Sequence, residues 1–275
     1  MRKAREIAIK RKANDLNGSD WTKYSISLWS DIRKSPEEIR LGHPALFPEM
    51  LVERLLKAYT RSDQKLVLDP FAGSGSTLVA AYKMGKTGIG FEVNYDFIKL
   101  AEKRLAQLSF EFGDSRKIEP LIFQEDAREI DKFVYKPIDI CITSPPYWNI
   151  LSQKRTADGK ENRDYGPGAK DLGKIQSYEG FLKELDLVWE KVYSILKCQA
   201  YLIINVMDIR KKDKFYPFHM DLIEHICKIG NPTYFLDDII IWDRRQEYNN
   251  LRPLGYPYKF RINKVHEYLF IFQKP

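Results

Sequence analysis

Apolar residues along this 275-residue chain recur with two different periods. In FPEMLVERLLKAY, residues 47–59, they fall at helical spacing. The KLVLDPF that follows is a short continuous apolar run ending in a glycine-rich turn, which predicts a buried strand. STLVAAYKMGK resumes helical character, TGIGFEV predicts a second strand, and YDFIKLAEKRLAQL a second amphipathic helix. LIFQEDA and IDICITS add two strands. Further on, YEGFLKELDLVWEKVYSIL predicts a long helix, AYLIINV a strand, FHMDLIEHICKIG a helix, YFLDDIIIW a strand, and HEYLFIFQ a last strand. Strands that alternate with helices in this way predict an α/β fold, a mostly parallel twisted sheet with helices on both faces.

Three segments fall outside the alternation. Residues 1–42 are polar and mixed in charge, and are expected to form an N-terminal extension ahead of the body at 43–275. The cations of that extension, Arg2, Lys3, Arg5, Lys10, Arg11 and Lys12, suit either a solvated helix face or contacts to a nucleic-acid backbone. Residues 152–177 are charged and lack an apolar period, as in a surface loop. In residues 243–264, Arg244, Arg245, Arg252, Lys259, Arg261 and Lys264 alternate with Tyr248, Tyr256, Tyr258 and Phe260. Cations serve phosphates and flat rings serve unpaired bases, although such aromatics also pack onto sheets.

Lys and Arg outnumber Asp and Glu by 45 to 38, a formal charge of +7, which suits a polyanionic partner. Cys141, Cys198 and Cys227 have no CxxC spacing, so neither a disulfide framework nor a zinc site is expected, and a reducing cytoplasm fits. No stretch has the length and apolarity of a membrane span, and the first residues lack the apolar core of a secretory signal.

LDPFAGSGST, residues 68–77, follows a predicted strand and opens a helix, so its backbone amides line the carboxyl edge of the sheet. A phosphate-binding loop needs a Lys before its Ser/Thr, and a dinucleotide fingerprint needs a third glycine where this chain has Leu78. Neither fits. Glu92 ends the next strand at a distance that suits ribose hydroxyls, which leaves an adenosine-bearing cofactor without pyrophosphate, such as S-adenosyl-L-methionine. The alternative is an ordinary tight turn with Glu92 at a solvated strand end.

DICITSPPYWNIL, residues 139–151, sets two prolines directly after a strand. Pro145 and Pro146 fix φ and push the residues before them into extended geometry, so the corner is stiff. The Ser144 hydroxyl and Pro145 carbonyl are two acceptors suited to the hydrogens of an exocyclic base amine, and Tyr147 is a flat surface for an extruded base. Cys141, inside the strand, is expected to be a buried small hydrophobe.

Taken together, DPFAGSGST and TSPPYW resemble the amino-methylating DNA methyltransferases, which act on cytosine N4 or adenine N6. The resemblance runs from about His43 to the end of the chain. It implies a Rossmann-like methyltransferase fold with an antiparallel C-terminal strand, S-adenosyl-L-methionine as cofactor, and double-stranded DNA as substrate. It also implies that His43, Pro44 and Phe47 lie at the methionine end of the cofactor and that Asp69, Phe71, Gly73 and Gly75 form its loop. Glu92 would bind the ribose, Asp126 would lie near the adenine amino group, and Ser144, Pro145, Pro146 and Tyr147 would form the catalytic tetrad. Ser at the first tetrad position is more typical of the cytosine-N4 enzymes; Asp or Asn there is more typical of adenine-N6. With no large recognition insert, DNA contact falls to the N-terminal extension and the 152–177 and 243–264 loops, with Arg244, Arg245, Arg252, Lys259 and Arg261 as candidates, or to a specificity partner. A cognate restriction endonuclease and a homodimer are both compatible with the resemblance. An RNA-base methyltransferase and a non-catalytic binding subunit are the competing readings. No metal is required.

Overall fold

The computed structural model describes residues 12–41, 46–112, 118–149, 171–247, 251 and 253–275. His43, Pro44 and Arg252, five of the six N-terminal cations and most of the 152–177 loop lie outside the described residues.

The apolar runs form one eight-stranded sheet. Strands β2 (Leu66–Asp69), β3 (Thr87–Phe91), β4 (Leu121–Phe123), β5 (Ile138–Thr143) and β6 (Leu196–Val206) are mutually parallel. With β1 (Leu28–Trp29), β9 (Phe235–Asp243) and β10 (His266–Gln273), the spatial order is β1-β9-β10-β6-β5-β2-β3-β4. β10 runs antiparallel to both β6 and β9, as expected for the C-terminal strand. The order reverses between β2 and β5, which places the ligand-binding crevice at their carboxyl ends.

Both faces of the sheet are covered, which is why its strands read as unbroken apolar runs rather than as alternations. Helices α3 (Glu49–Tyr59) and α4 (Ser76–Lys83) pack Leu51, Leu55 and Ala80 against Val67, Ile140, Ile203 and Ile271 on one face. On the other, α6 (Tyr178–Ile195) and α7 (Phe218–Ile226) pack Phe181, Trp189 and Phe218 against Leu68, Cys141, Leu202 and Phe270. Cys141 is therefore a core residue, fully buried. No described helix is long and apolar enough to cross a membrane.

The described part of the 1–42 segment is woven into this body. Its helices α1 (Gly18–Tyr24) and α2 (Pro36–Arg40) flank β1, which pairs in parallel with β9. Asp31 takes a bidentate hydrogen bond from buried Arg54 of α3, at 2.7 and 2.8 Å, and Trp29 is buried beneath the Arg54 guanidinium. Helix α2 carries a capping box between Ser35 and Glu38, and the other Glu38 oxygen accepts the first amide of α3 at 2.8 Å. Short polar elements held by hydrogen bonds and one half-buried ion pair give little apolar periodicity, so the sequence reads as an extension.

The missing third glycine also has a structural counterpart. Leu78 of α4 faces β3, and the space it needs comes from Gly88 and Gly90 on the strand. A Cβ on Gly88 would lie 2.8 Å from the Leu78 Cα, and one on Gly90 would lie 2.8 Å from the Ala72 Cβ. Gly88→Ala is expected to cost about 1–3 kcal/mol through overpacking, read as a lower urea midpoint with an unchanged slope.

Candidate active site

Four strand ends converge on one open cleft. β2 delivers Asp69, Phe71 and Gly73; β3 delivers Glu92; the turn after β4 delivers Asp126; β5 delivers Ser144 and Pro146. Phe47, ahead of α3, lines it too. Eight of the residues singled out in the sequence thus share a single wall. Gly75, Pro145 and Tyr147 flank the cleft without lining it.

The glycine turn is held open by its backbone. Gly73 and Gly75 have φ of 51° and 80°, in the left-handed region that favours glycine. Gly75 caps α4, and a Cβ there would come within 2.7 Å of the Ala101 Cβ, so the turn needs glycine on both conformational and steric grounds. From α5 (Tyr95–Phe112), Arg104 reaches across to donate to the Ser74 carbonyl at 2.5 Å and to Glu49 of α3 at 2.6 Å. The turn is thereby fastened to helices on either side.

Each acid in the cleft has a distinct setting. Glu92 accepts from the Gly73 amide at 2.9 Å and the Asn94 amide at 2.8 Å, and burial pushes its carboxyl up to about 7. Asp69 accepts from the Thr143 hydroxyl at 2.6 Å and the Phe71 amide at 3.0 Å, which ties the glycine turn to the end of β5; burial raises it to about 6. Asp126 caps the short 3-10 turn Ala127–Lys132, and Arg128, which also pairs with Glu184 of α6, holds both its oxygens. Glu125 and Asp171 complete a lining that contains five carboxyl groups and, among the described residues, no Lys, Arg or His.

That lining decides what fits. A phosphate or pyrophosphate would meet carboxylates and no cation, whereas a cationic sulfonium and ammonium bearing an adenosine would be welcomed by the acids. The five carboxyl groups, Glu92 and Asp126 at the ends of adjacent strands among them, thus fit S-adenosyl-L-methionine.

Behind the proline corner lies a buried polar network that the sequence did not reveal. The Ser144 hydroxyl donates to the Asn205 carbonyl at 3.2 Å, and the Tyr147 hydroxyl lies 3.4 Å from it. Tyr147 in turn donates to Glu267 at 3.1 Å and accepts from the Asn205 side-chain amide at 3.3 Å. That amide also donates to Glu267, whose second oxygen pairs with Arg244. Arg244 continues to Glu247 at 2.8 Å, and Glu247 to Lys34 at 3.0 Å. Asn205 and Glu267 are only 2% and 3% exposed. With its own proton directed to the Asn205 carbonyl, Ser144 keeps its lone pairs for the cleft.

The basic residues of the 243–264 loop divide into two groups. Arg244 is turned inward to Glu267 and lies over the Trp242 ring. Arg245 is solvent-facing, but both Asp243 oxygens hold it. Lys259 and Arg261 pair with Asp213 at the tip of a hairpin, β7 (Ile209–Lys211) and β8 (Lys214–Tyr216), that no apolar alternation in the sequence marks. Tyr256, Tyr258 and Phe260 project into solvent beside it, the last two more than nine-tenths exposed.

Comparison with known proteins identifies the family. A family model described as DNA methylase, covering the N6 and N4 enzymes, matches residues 2–103 and 138–275. The type II methyltransferase M.ScaI of Streptomyces caespitosus is 44% identical over 66 residues, 24% of this chain and 21% of that protein. The type II methyltransferase M.MthZI of Methanothermobacter thermautotrophicus is 28% identical over 166 residues, 56% of this chain and 44% of its own. Each match thus spans less than half of the relative's length. Among solved structures, TrmN from Thermus thermophilus shares the fold with a TM-score of 0.51 at 14% identity, over 84% of this chain and 50% of that one. The family match covers both the glycine turn and the proline corner, the two halves of the cleft, and the chain belongs to the N6/N4 family of DNA methylases.

Proposed function

We propose that this chain transfers a methyl group from S-adenosyl-L-methionine to the exocyclic amine of an extruded DNA base, and that the base is cytosine, methylated at N4. One observation carries the reading: Ser144 and Pro146 line the same cleft as Gly73 and Glu92, so base amine and methyl donor would meet within a single wall. When bound, the cofactor supplies a sulfonium methyl that needs no further activation. The protein's task is then positioning and electrostatics.

A base amine is a poor nucleophile because its lone pair is delocalised into the ring. Two acceptors for its hydrogens, the Ser144 hydroxyl in the cleft wall and the Pro145 carbonyl at its flank, would favour a tetrahedral nitrogen with its lone pair free. Ser144 suits that role because its proton is already directed to Asn205. Glu267 and Asn205 fix the Tyr147 hydroxyl and so the pose of its ring beside the base. A neutral hydroxyl at the first position of the tetrad, rather than an amide or carboxylate, supports cytosine over adenine. The type II methyltransferase names of the relatives support a sequence-specific modification activity of the kind paired with a restriction endonuclease.

The test is incorporation of a labelled methyl group into duplex DNA followed by digestion to nucleosides. N4-methylcytosine is the expected product; N6-methyladenine would reassign the base, and neither product under cofactor-saturating conditions would overturn the reading.

A second expectation concerns pH. Glu92 near 7 is protonated in mild acid, and only its ionised form accepts from both ribose hydroxyls. Cofactor affinity is therefore expected to rise roughly tenfold between about pH 6 and about pH 8, following the ionised fraction. Glu92→Gln should flatten that dependence in calorimetric titrations. The sign for folding is opposite: a carboxyl raised above its unfolded value of 4.5 binds its proton more tightly in the folded chain. The Glu92 contribution to stability thus falls as pH rises from about 4.5 through about 7.

A further inference from the structure

The hairpin β7–β8 stands at the carboxyl edge of the sheet, directly after β6, on the side where the cleft opens. It carries Arg210, Lys211, Lys212 and Lys214 around one acid, Asp213. That acid is bound by Lys259 and Arg261, which locks the hairpin tip to the 253–264 segment and joins both into one ledge. Among the described residues, Arg210, Lys212 and Lys214 have no carboxylate partner, and Lys212 and Lys214 are exposed. Phe215, also exposed, has the Arg210 guanidinium 5.3 Å and the Lys264 ammonium 5.8 Å from its ring centre. Like-charged groups gathered without counter-ions repel one another, and a surface that keeps them so is suited to a polyanion.

The hairpin is also coupled to the proline corner. Lys211 donates to Asn149 at 2.9 Å and sits 3.9 Å from the centre of the Trp148 ring, the residue after Tyr147. Trp148 is buried, adopts φ of 50°, and is held by Tyr216 of β8 and by the Ile175 carbonyl.

We propose that the β7–β8 hairpin, with Lys259 and Arg261 beside it, is the element that grips the phosphate backbone of DNA next to the nucleotide delivered to the cleft. The exposed Tyr256, Tyr258 and Phe260 are the stacking surface for bases unpaired by that delivery. The inference rests on the proposed DNA substrate but names a different part of the molecule from the methyl-transfer site. Positions are read through the backbone here, so the hairpin supplies affinity more than sequence choice.

The test is the salt dependence of binding to a short labelled duplex, for the wild-type chain and a Lys212→Ala/Lys214→Ala variant. Loss of two phosphate contacts is expected to reduce the slope of log affinity against log salt by about 2, with cofactor affinity by calorimetry unchanged as the check on folding. A slope and affinity equal to wild type would overturn the assignment. So would tighter wild-type binding to an RNA duplex than to DNA. The two proposals fail separately. Methylation of DNA with no effect of the variant on binding would remove the hairpin and leave the enzyme; a changed slope with no methylated nucleoside in any digest would do the reverse.

Discussion

Ser144→Ala is expected to lower the single-turnover rate of methyl transfer about 10²–10³-fold while leaving cofactor affinity within roughly twofold. In the proposed reaction the hydroxyl is one of two acceptors for the amine hydrogens, and it touches no group that holds the glycine turn: its partners are Asn205 and Tyr147. A loss confined to rate is the signature of an interaction made only as the nitrogen becomes tetrahedral. An equal loss in cofactor affinity would move Ser144 out of the base site and into the cofactor pocket. Ser144→Thr keeps the oxygen but adds a methyl beside Tyr147, and should recover part of the rate.

Glu267→Ala is expected to have the largest effect on stability of any single change near the site. It strips Arg244 of its most buried partner, removes the carboxylate that accepts from Tyr147, and leaves the Asn205 amide with the Tyr147 oxygen alone. Breaking a buried pair from one side costs about 3–5 kcal/mol, and because Arg244 retains Glu247, a loss of about 3 kcal/mol is expected in urea denaturation. Glu267→Gln separates the two roles. It restores an acceptor for Tyr147 without a charge for Arg244, so turnover should recover more fully than stability. If Gln restored stability and not turnover, Tyr147 would owe its pose to something other than Glu267.

The sheet was legible wherever burial on both faces imposes continuous apolar runs, as in KLVLDPF, IDICITS and AYLIINV, and the helices wherever one face alone is buried, as in α3 and α6. The glycine turn and the proline corner were legible because backbone geometry restricts which residues can stand there. The hairpin was not: in DIRKKDKFY the cations that define its surface also erase the period-two alternation by which a strand is recognised. Strand β1, two residues long, leaves no period at all. The network behind Tyr147 escaped for another reason. Glu267 sits in HEYLFIFQ as one acid at the mouth of an apolar strand, and Asn205 in AYLIINV as one amide at the end of another. Each looks like a strand terminus reaching water, and only the pairing of β10 with β6, Leu269 opposite Asn205, brings them together beneath the corner. A buried acid in a strand was the available signal, since such groups persist only when paired.

The contact between α4 and β3 has a consequence for how glycine fingerprints are understood. Where the familiar dinucleotide pattern hollows out the helix so that a flat strand can approach, this protein fills the helix with Leu78 and hollows out the strand at Gly88 and Gly90. The two solutions are positive and negative casts of one interface. A spacing rule written on one side records half of a complementary pair, and the halves are not exchangeable singly. Leu78→Gly in this chain would not create a nucleotide fingerprint; it would leave both surfaces concave, with a void between them and nothing to fill it.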